Sequence, residues 1–247
     1  MSVPRFFVDA ELHPEGEFVL NEGTAHHVAH SLRLRKNDKI ILIDPKGKEY
    51  SCKIQNIERK RVEVKIEGQL LSNTESPIHV ALGISLINTS KLDTIIRHVT
   101  ELGVSEIIPF QSRRSQLKCH HVEKRKKRWE EIVKNACQQS GRTRIPVVSG
   151  AVPFGEVIER DFPLKLISWE KEKGGTLRGI YEAHKKAGRI ILLVGPEGGF
   201  TEEEFKQATE KAFLPFSLGP RILRCETAAI ASVALVQHYW GDLGIFS

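Results

Sequence analysis

The 247-residue chain is short of several things that would assign a protein quickly. It has one methionine and only four cysteines, Cys52, Cys119, Cys137 and Cys225, scattered with no CxxC pair. That spacing excludes a zinc knuckle and gives no sign of a disulfide framework, which fits a reducing compartment. Long apolar runs are missing too: Thr227–Gly241, which no uncharged stretch exceeds in length, falls short of the ~20 apolar residues that cross a bilayer. The opening segment, MSVPRFFVDAELHPEGEF, carries charges where a signal peptide needs an apolar core. A soluble, unsecreted, cytoplasmic protein with no membrane partner is expected.

What is present is basic charge, with a net +6 and a pI near 9.1. The excess is local. Residues 73–150 hold 13 Lys and Arg against 7 Asp and Glu, while the blocks on either side balance to within one charge. A basic middle block suits a surface facing a polyanion, although the run VEKRKKRWEEIV taken alone reads equally well as a solvated helix face.

The length favours two domains. Up to residue 69 the chain reads as short strands (RFFVD, EFVL, KIILID, EYSCKIQNI, RVEVKIEG) interrupted by one short helix, TAHHVAHSLRL. Many short strands with turn signals predict a small β-barrel. LLSNTESP, closed by Pro77, reads as a linker. Beyond it, apolar strands (IHVALGIS, EIIPF, LKLIS, RIILLVG) alternate with helical stretches, which predicts an α/β domain with a parallel sheet covered on both faces. SKLDTIIRHVTELG places Leu92, Ile95, Ile96, Val99 and Leu102 on one helix face, and a helix from about Val122 to Ser140 buries Trp129, Ile132, Val133, Ala136 and Cys137.

Two stretches point to chemistry. LLVGPEGGFTEEEF leaves an apolar strand, turns through glycines and enters a helix with Thr201 and Glu204 spaced as a capping box. Its spacing matches neither GxGxxG nor GxxxxGK[ST], and the acids Glu197, Glu202, Glu203 and Glu204 would repel phosphate. A cationic ligand without phosphate suits the loop, and so does a plain strand-to-helix turn. The second stretch, LGPRILRCETAAIASVALVQ, breaks at Gly219-Pro220, presents Arg221 and Arg224, and runs into a helix with no charge from Ala228 to Trp240. Such a helix belongs in a core or at a subunit interface.

Together these two stretches closely resemble the paired C-terminal motifs of the RsmE family, the 16S ribosomal RNA uracil-N3 methyltransferases of the SPOUT superfamily. RFFVD with AHHVAHSLRLRKND resembles the family's N-terminal PUA-like barrel, VTELGVSEIIPFQSRRS its ELGV..I.P segment, and ACQQSGR its Glu-Gln-Ser-Gly-Arg segment. The resemblance implies a PUA-like RNA-binding β-barrel over residues 1–72 and a SPOUT α/β methyltransferase domain over 73–247, its C-terminal part tied in a trefoil knot. It implies S-adenosyl-L-methionine as cofactor, cradled by Gly195, Pro196, Glu197, Gly198 and Gly199 from one loop. Leu218, Gly219, Ile222, Leu223 and Arg224 come from the other, with Thr227 and Ala228 opening the helix. A homodimer packed through that helix is implied as well, so a charge at Ala231 or Ala234 is expected to weaken dimerisation and cofactor binding together.

The implied partner is 16S rRNA of the small ribosomal subunit. Its contacts are expected from Arg5, His26, His27, Arg33, Arg35, Arg113, Arg114 and Arg142. Methylating N3 requires loss of an imide proton and stabilisation of the resulting charge, for which Arg114, Arg142, Arg221 and Arg224 are the available cations. Arg114, Arg142 and Arg224 are the leading catalytic candidates. Glu197 and Glu226 are the available acids, each equally good as a turn or cap residue. His26 and His30, at i, i+4, have no third ligand nearby, and CHH at 119–121 fares no better, so no metal is expected. The chain departs from the family pattern at Gln138, usually Glu, at Cys225, usually Thr, and at Arg97 with His98, where a Lys is common. Two rivals remain: a SPOUT ribose 2′-O-methyltransferase and a non-catalytic RNA-binding or ribosome assembly factor.

Overall fold

The computed structural model describes residues 3–58, 61–71 and 74–244, without the side chains of His121 and Glu123. Contacts divide the chain into two compact units, Met1–Glu75 with Cys137–Arg144, and Ser76–Ala136 with Ile145–Ser247. The boundary expected between 72 and 73 falls on residues outside those described, as does part of the expected linker. The division at Glu75 adds a segment that the sequence pattern assigned to the second domain.

In the first unit, β1 (Arg5–Phe7), β2 (Glu17–Val19), β3 (Lys39–Ile43), β4 (Glu49–Glu58) and β5 (Arg61–Leu70) form one sheet in the order β1-β3-β4-β5-β2. β1 runs parallel to β3 and the remaining pairs are antiparallel. Among the described residues the hydrogen-bonded path is open, with β1 and β2 at its ends, where a barrel was expected to close. Register shifts at Ser51/Cys52 and Ile54/Asn56 bend the long β4-β5 ribbon, as bulges do. The inner face packs Phe6, Val28, Ile40, Leu42, Tyr50, Ile54, Val62 and Val64. The expected short helix begins earlier than its apolar pattern suggests. The Asn21 side chain accepts from Thr24 N at 2.9 Å and starts α1 (Glu22–His26), which widens into a π-type turn over His27–Ser31.

The second unit is a wholly parallel sheet in the order β12-β10-β11-β6-β7-β8, with β9 also pairing with β7. Its strands are β6 (His79–Ser85), β7 (Glu106–Gln111), β8 (Val147–Val148), β9 (Val152–Pro153), β10 (Leu164–Ser168), β11 (Arg189–Val194) and β12 (Leu214–Phe216). The helices are α2 (Thr89–Glu101), α3 (Cys119–Val122), α4 (Lys126–Ser140), α5 (Phe154–Ile158), α6 (Leu177–Ala183), α7 (Glu202–Glu210) and α8 (Cys225–Tyr239). β6 and β11 are buried on both faces, hence their unbroken apolar runs. Ala81, Ile108, Ile167, Ile191 and Leu193 meet Phe154, Val157, Phe200 and Ala208, whereas α2 and α8 pack against each other and α8 lies on β11 and β6.

The single helix expected from Val122 to Ser140 is interrupted. α3 ends at Val122, a 3₁₀ turn spans Glu123–Arg125, and α4 follows. On one unbroken helix Lys124 and Arg128 would form a like-charge i, i+4 pair. Arg128 instead donates to Asp93 at 2.8 Å, and Trp129 Nε1 reaches the same carboxylate at 3.2 Å. Among the described residues no helix is long and apolar enough to cross a membrane.

Candidate functional site: a loop-walled cavity at three strand ends

Neighbouring parallel strands deliver their loops to one end of the sheet, and β10, β11 and β12 do so side by side. Between the loops lies a cavity of about 700 Å³, within the range of small-molecule sites. One wall is Gly195–Phe200 after β11; a second is Ser217–Leu223 after β12 with Cys225 and Ala228 of α8. The third comes from the loop after β10, including Glu170, Glu172, Gly175 and Thr176.

The first wall owes its shape to glycine. Gly199 sits at φ +67°, and a Cβ there would come within 2.7 Å of the Glu170 carboxylate. A Cβ on Gly195 would meet the Phe200 ring at 3.1 Å. The loop ends in the expected capping box: Thr201 Oγ1 accepts from Glu204 N at 3.2 Å, and Glu204 Oε2 accepts from Thr201 N at 2.9 Å. Glu204 Oε1 also accepts from Arg113 N at 2.7 Å, which ties this helix start to the turn after β7. Ser112 and Ser115, both bonded to Ser85 Oγ at 2.8 Å, fix that turn. From it the Arg114 guanidinium donates to Gly198 O at 2.6 Å, and Arg113 pairs with Glu203 at 3.1 Å.

The carboxylates of the cavity divide by partner. Glu172 accepts from Gly174 N and Gly175 N at 2.7 and 2.8 Å, and these backbone bonds hold its pKa below the usual carboxylate value. Glu197 takes the Lys91 ammonium at 2.9 Å. Glu170 lies against Gly199, and among the described residues its carboxylate has neither kind of partner. Cys225 donates to Gly195 O at 3.0 Å, which joins the first two walls, and burial pushes its thiol up to about 12.

Most of the expected cradle comes together here. Gly195, Pro196, Glu197, Gly198, Gly199, Leu218, Gly219, Ile222, Leu223 and Ala228 all line the cavity, with Ile222 92% exposed at its edge. Arg224 and Thr227 are not among the lining residues, whereas Arg221 is. Cys225 and Ala228 share a helix face at i, i+3, which turns Thr227 away. The sequence pattern missed the third wall altogether.

The expected RNA-contacting cations fare unevenly. His26, His27, Arg33 and Arg35 are exposed on the first unit, as are Arg113 and Arg114 on the second. Arg5 bonds to Glu49 and to Gly141 O. Arg142 is a correction: it belongs to the first unit, is 4% exposed and lines no part of the cavity. Its guanidinium donates to Glu75 at 2.7 Å, and the same carboxylate accepts from Thr143 N and Arg144 N at 2.8 and 3.0 Å. Arg142 therefore holds its own loop in shape. The rings of His26 and His30 lie with centroids 4.6 Å apart and planes tilted at 41°. No group of three or more His, Cys, Asp or Glu is placed to hold a metal among the described residues; His121 lies outside them.

The chain is similar to known proteins over most of its length. The RNA methyltransferase domain family matches residues 74–237, and the RNA methyltransferase PUA domain family matches residues 20–67. Ribosomal RNA small subunit methyltransferase E of Bacillus subtilis (strain 168) is 31% identical, with 95% of this chain and 96% of that protein covered. The protein of the same name from Mesomycoplasma hyopneumoniae (strain 232) is 34% identical over 92% of this chain and 95% of its own. The solved structure of ribosomal RNA small subunit methyltransferase E from Neisseria gonorrhoeae, bound to S-adenosyl methionine, superposes with a TM-score of 0.91 at 35% identity, covering 98% of this chain and 99% of that one. A full-length likeness in sequence and chain path places this chain in the ribosomal RNA small subunit methyltransferase E family.

Proposed function

We propose that the protein transfers a methyl group from S-adenosyl-L-methionine to N3 of a specific uridine in 16S rRNA of the small ribosomal subunit. The observation that carries this reading is the cavity. Its volume and its walls of glycine backbone with three carboxylates suit a ligand that is cationic and free of phosphate. Gly195, Pro196, Gly198, Gly199, Leu218, Gly219, Leu223 and Ala228 would hold the cofactor, which when bound supplies an electrophilic methyl on a sulfonium. Arg114, exposed and anchored on the first wall, and Arg221, on the second, are the cations available to the imidate charge that develops on the uracil. Arg224 is kept as a residue of site assembly. Arg142 is withdrawn from catalysis, because its charge is already engaged with Glu75.

His26, His27, Arg33 and Arg35 on the PUA unit contact RNA, and the exposed cations of α4 supply contacts from the second unit on its own account. The C-terminal segment is a trefoil knot. Support comes from the sheet order, in which β10 lies between β12 and β11 while α8 returns to β11 and β6. The protein acts in the cytoplasm as a homodimer, packed through the stripe Thr227, Ala231, Leu235 and His238, which the rest of the second unit leaves partly or fully uncovered. The test is transfer of labelled methyl to small subunits from cells lacking this protein, followed by nucleoside analysis. N3-methyluridine is the expected product. Label in a 2′-O-methyl nucleoside, or no label at all, refutes the reading.

A further inference from the structure

Three elements far apart in sequence meet at one ammonium. Lys91, in the first turn of α2, donates to Glu197 Oε1 at 2.9 Å and lies 3.9 Å from Glu226 Oε2. Glu197 belongs to the first wall of the cavity, and Glu226 follows Cys225 at the start of α8, the helix whose Cys225 and Ala228 complete the second. Glu226 Oε2 is buried and accepts no hydrogen bond among the described residues. The side chains of Lys91, Glu197 and Glu226 are 36%, 29% and 21% exposed, so the cluster is more sheltered than Lys171 with Glu202, at 61% and 71%. The Glu197 hydrogen bond raises the Lys91 pKa above its usual value, with Glu226 adding to the rise and Arg224 opposing it.

We propose that Lys91 is a positioning residue for the methyl-transfer reaction: by neutralising Glu197 and Glu226 together, it keeps the two glycine-built walls at the separation the cofactor requires. Without it two carboxylates face each other across the seam, and one has a buried oxygen with no counter-charge. Like charges so placed repel, and the walls carrying them separate. The inference rests on the reading that this cavity takes S-adenosyl-L-methionine, and it adds a residue outside the cavity wall.

The test is calorimetric titration of the full-length protein with S-adenosyl-L-methionine, which needs no turnover. Binding by the parent protein tests the cofactor reading; the Lys91 variants test this inference. Lys91→Met is expected to weaken binding about tenfold, which corresponds to about 1.4 kcal/mol, while Lys91→Arg binds as the parent does. Glu226→Gln in the Lys91→Met background recovers most of the loss, because the repulsion has lost one partner. Raising salt from about 50 mM to about 500 mM has the same effect on Lys91→Met by screening, so the test stands even if the double variant folds poorly. Steady-state assays are expected to show the change in KM for the cofactor, with kcat and the KM for RNA little altered. A Lys91→Met protein that binds like the parent, or a loss relieved by neither Glu226→Gln nor salt, overturns the proposal.

Discussion

Replacing Glu75 with Ala is expected to be among the most damaging single changes in the N-terminal unit, and worse than removing its partner Arg142. Glu75→Ala removes the carboxylate that pairs with a guanidinium whose side chain is only 5% exposed, and breaking a buried pair costs about 3–5 kcal/mol. Thr143 N and Arg144 N lose their acceptor as well, at roughly 0.5 kcal/mol each where water can partly replace it. The expected total is about 4–6 kcal/mol. Arg142→Ala leaves a carboxylate that is 19% exposed and still accepts both backbone N–H groups, so its cost is about 1–3 kcal/mol. At about 4 °C per kcal/mol for a unit of this size, Glu75→Ala lowers its midpoint by about 16 °C or more. Thermal unfolding gives the midpoints, and hydrogen exchange at β4 and β5 assigns them to the first unit. An Arg142→Ala protein as unstable as Glu75→Ala, or a Glu75→Ala loss under about 1 kcal/mol, refutes the reasoning and returns Arg142 to the candidate RNA contacts.

Two further outcomes test the cavity and its surroundings. Gly199→Ala places an L side chain at φ +67°, which costs about 1–2 kcal/mol, and sets its methyl against Glu170, so the loop relaxes and calorimetry shows about tenfold weaker cofactor binding. Unchanged affinity would show that the wall does not need this backbone geometry. Burial raises the thiols of Cys52, Cys137 and Cys225 to about 12, which leaves about one thiolate in ten thousand at pH 8. Thiol titration at that pH is expected to label Cys119 alone until denaturant is added, and a second equally fast thiol in the native protein contradicts this.

Two walls of the cavity were legible in the sequence because their signals are local. Gly195–Gly199 sits between an apolar strand and a capping box, and Gly219-Pro220 interrupts a strand just before an apolar helix. The third wall gives no comparable signal. Glu170, Glu172 and Lys173 read as solvated charge, and Gly174-Gly175 as an ordinary turn, until β10 is found hydrogen-bonded between β11 and β12. Arg142 misled for the same reason: its neighbours in sequence are Gly141 and Thr143, but its counter-ion is 67 residues away. Strand identities in both units followed from apolar runs and turns, whereas the open order of the first sheet depends on pairings that no local pattern encodes.

A stretch of cavity wall built on glycines, such as Gly195, Gly198 and Gly199, is inherited differently from one built on side chains. Substitution rewrites side chains directly but alters backbone only where a glycine is lost or a loop changes length. About two positions in three differ between this chain and the Neisseria gonorrhoeae protein, yet their paths superpose at a TM-score of 0.91. Such a stretch lets the surrounding sequence drift while it presents the same amides and carbonyls, and leaves the scope for change to lining side chains such as Glu170 and Arg221.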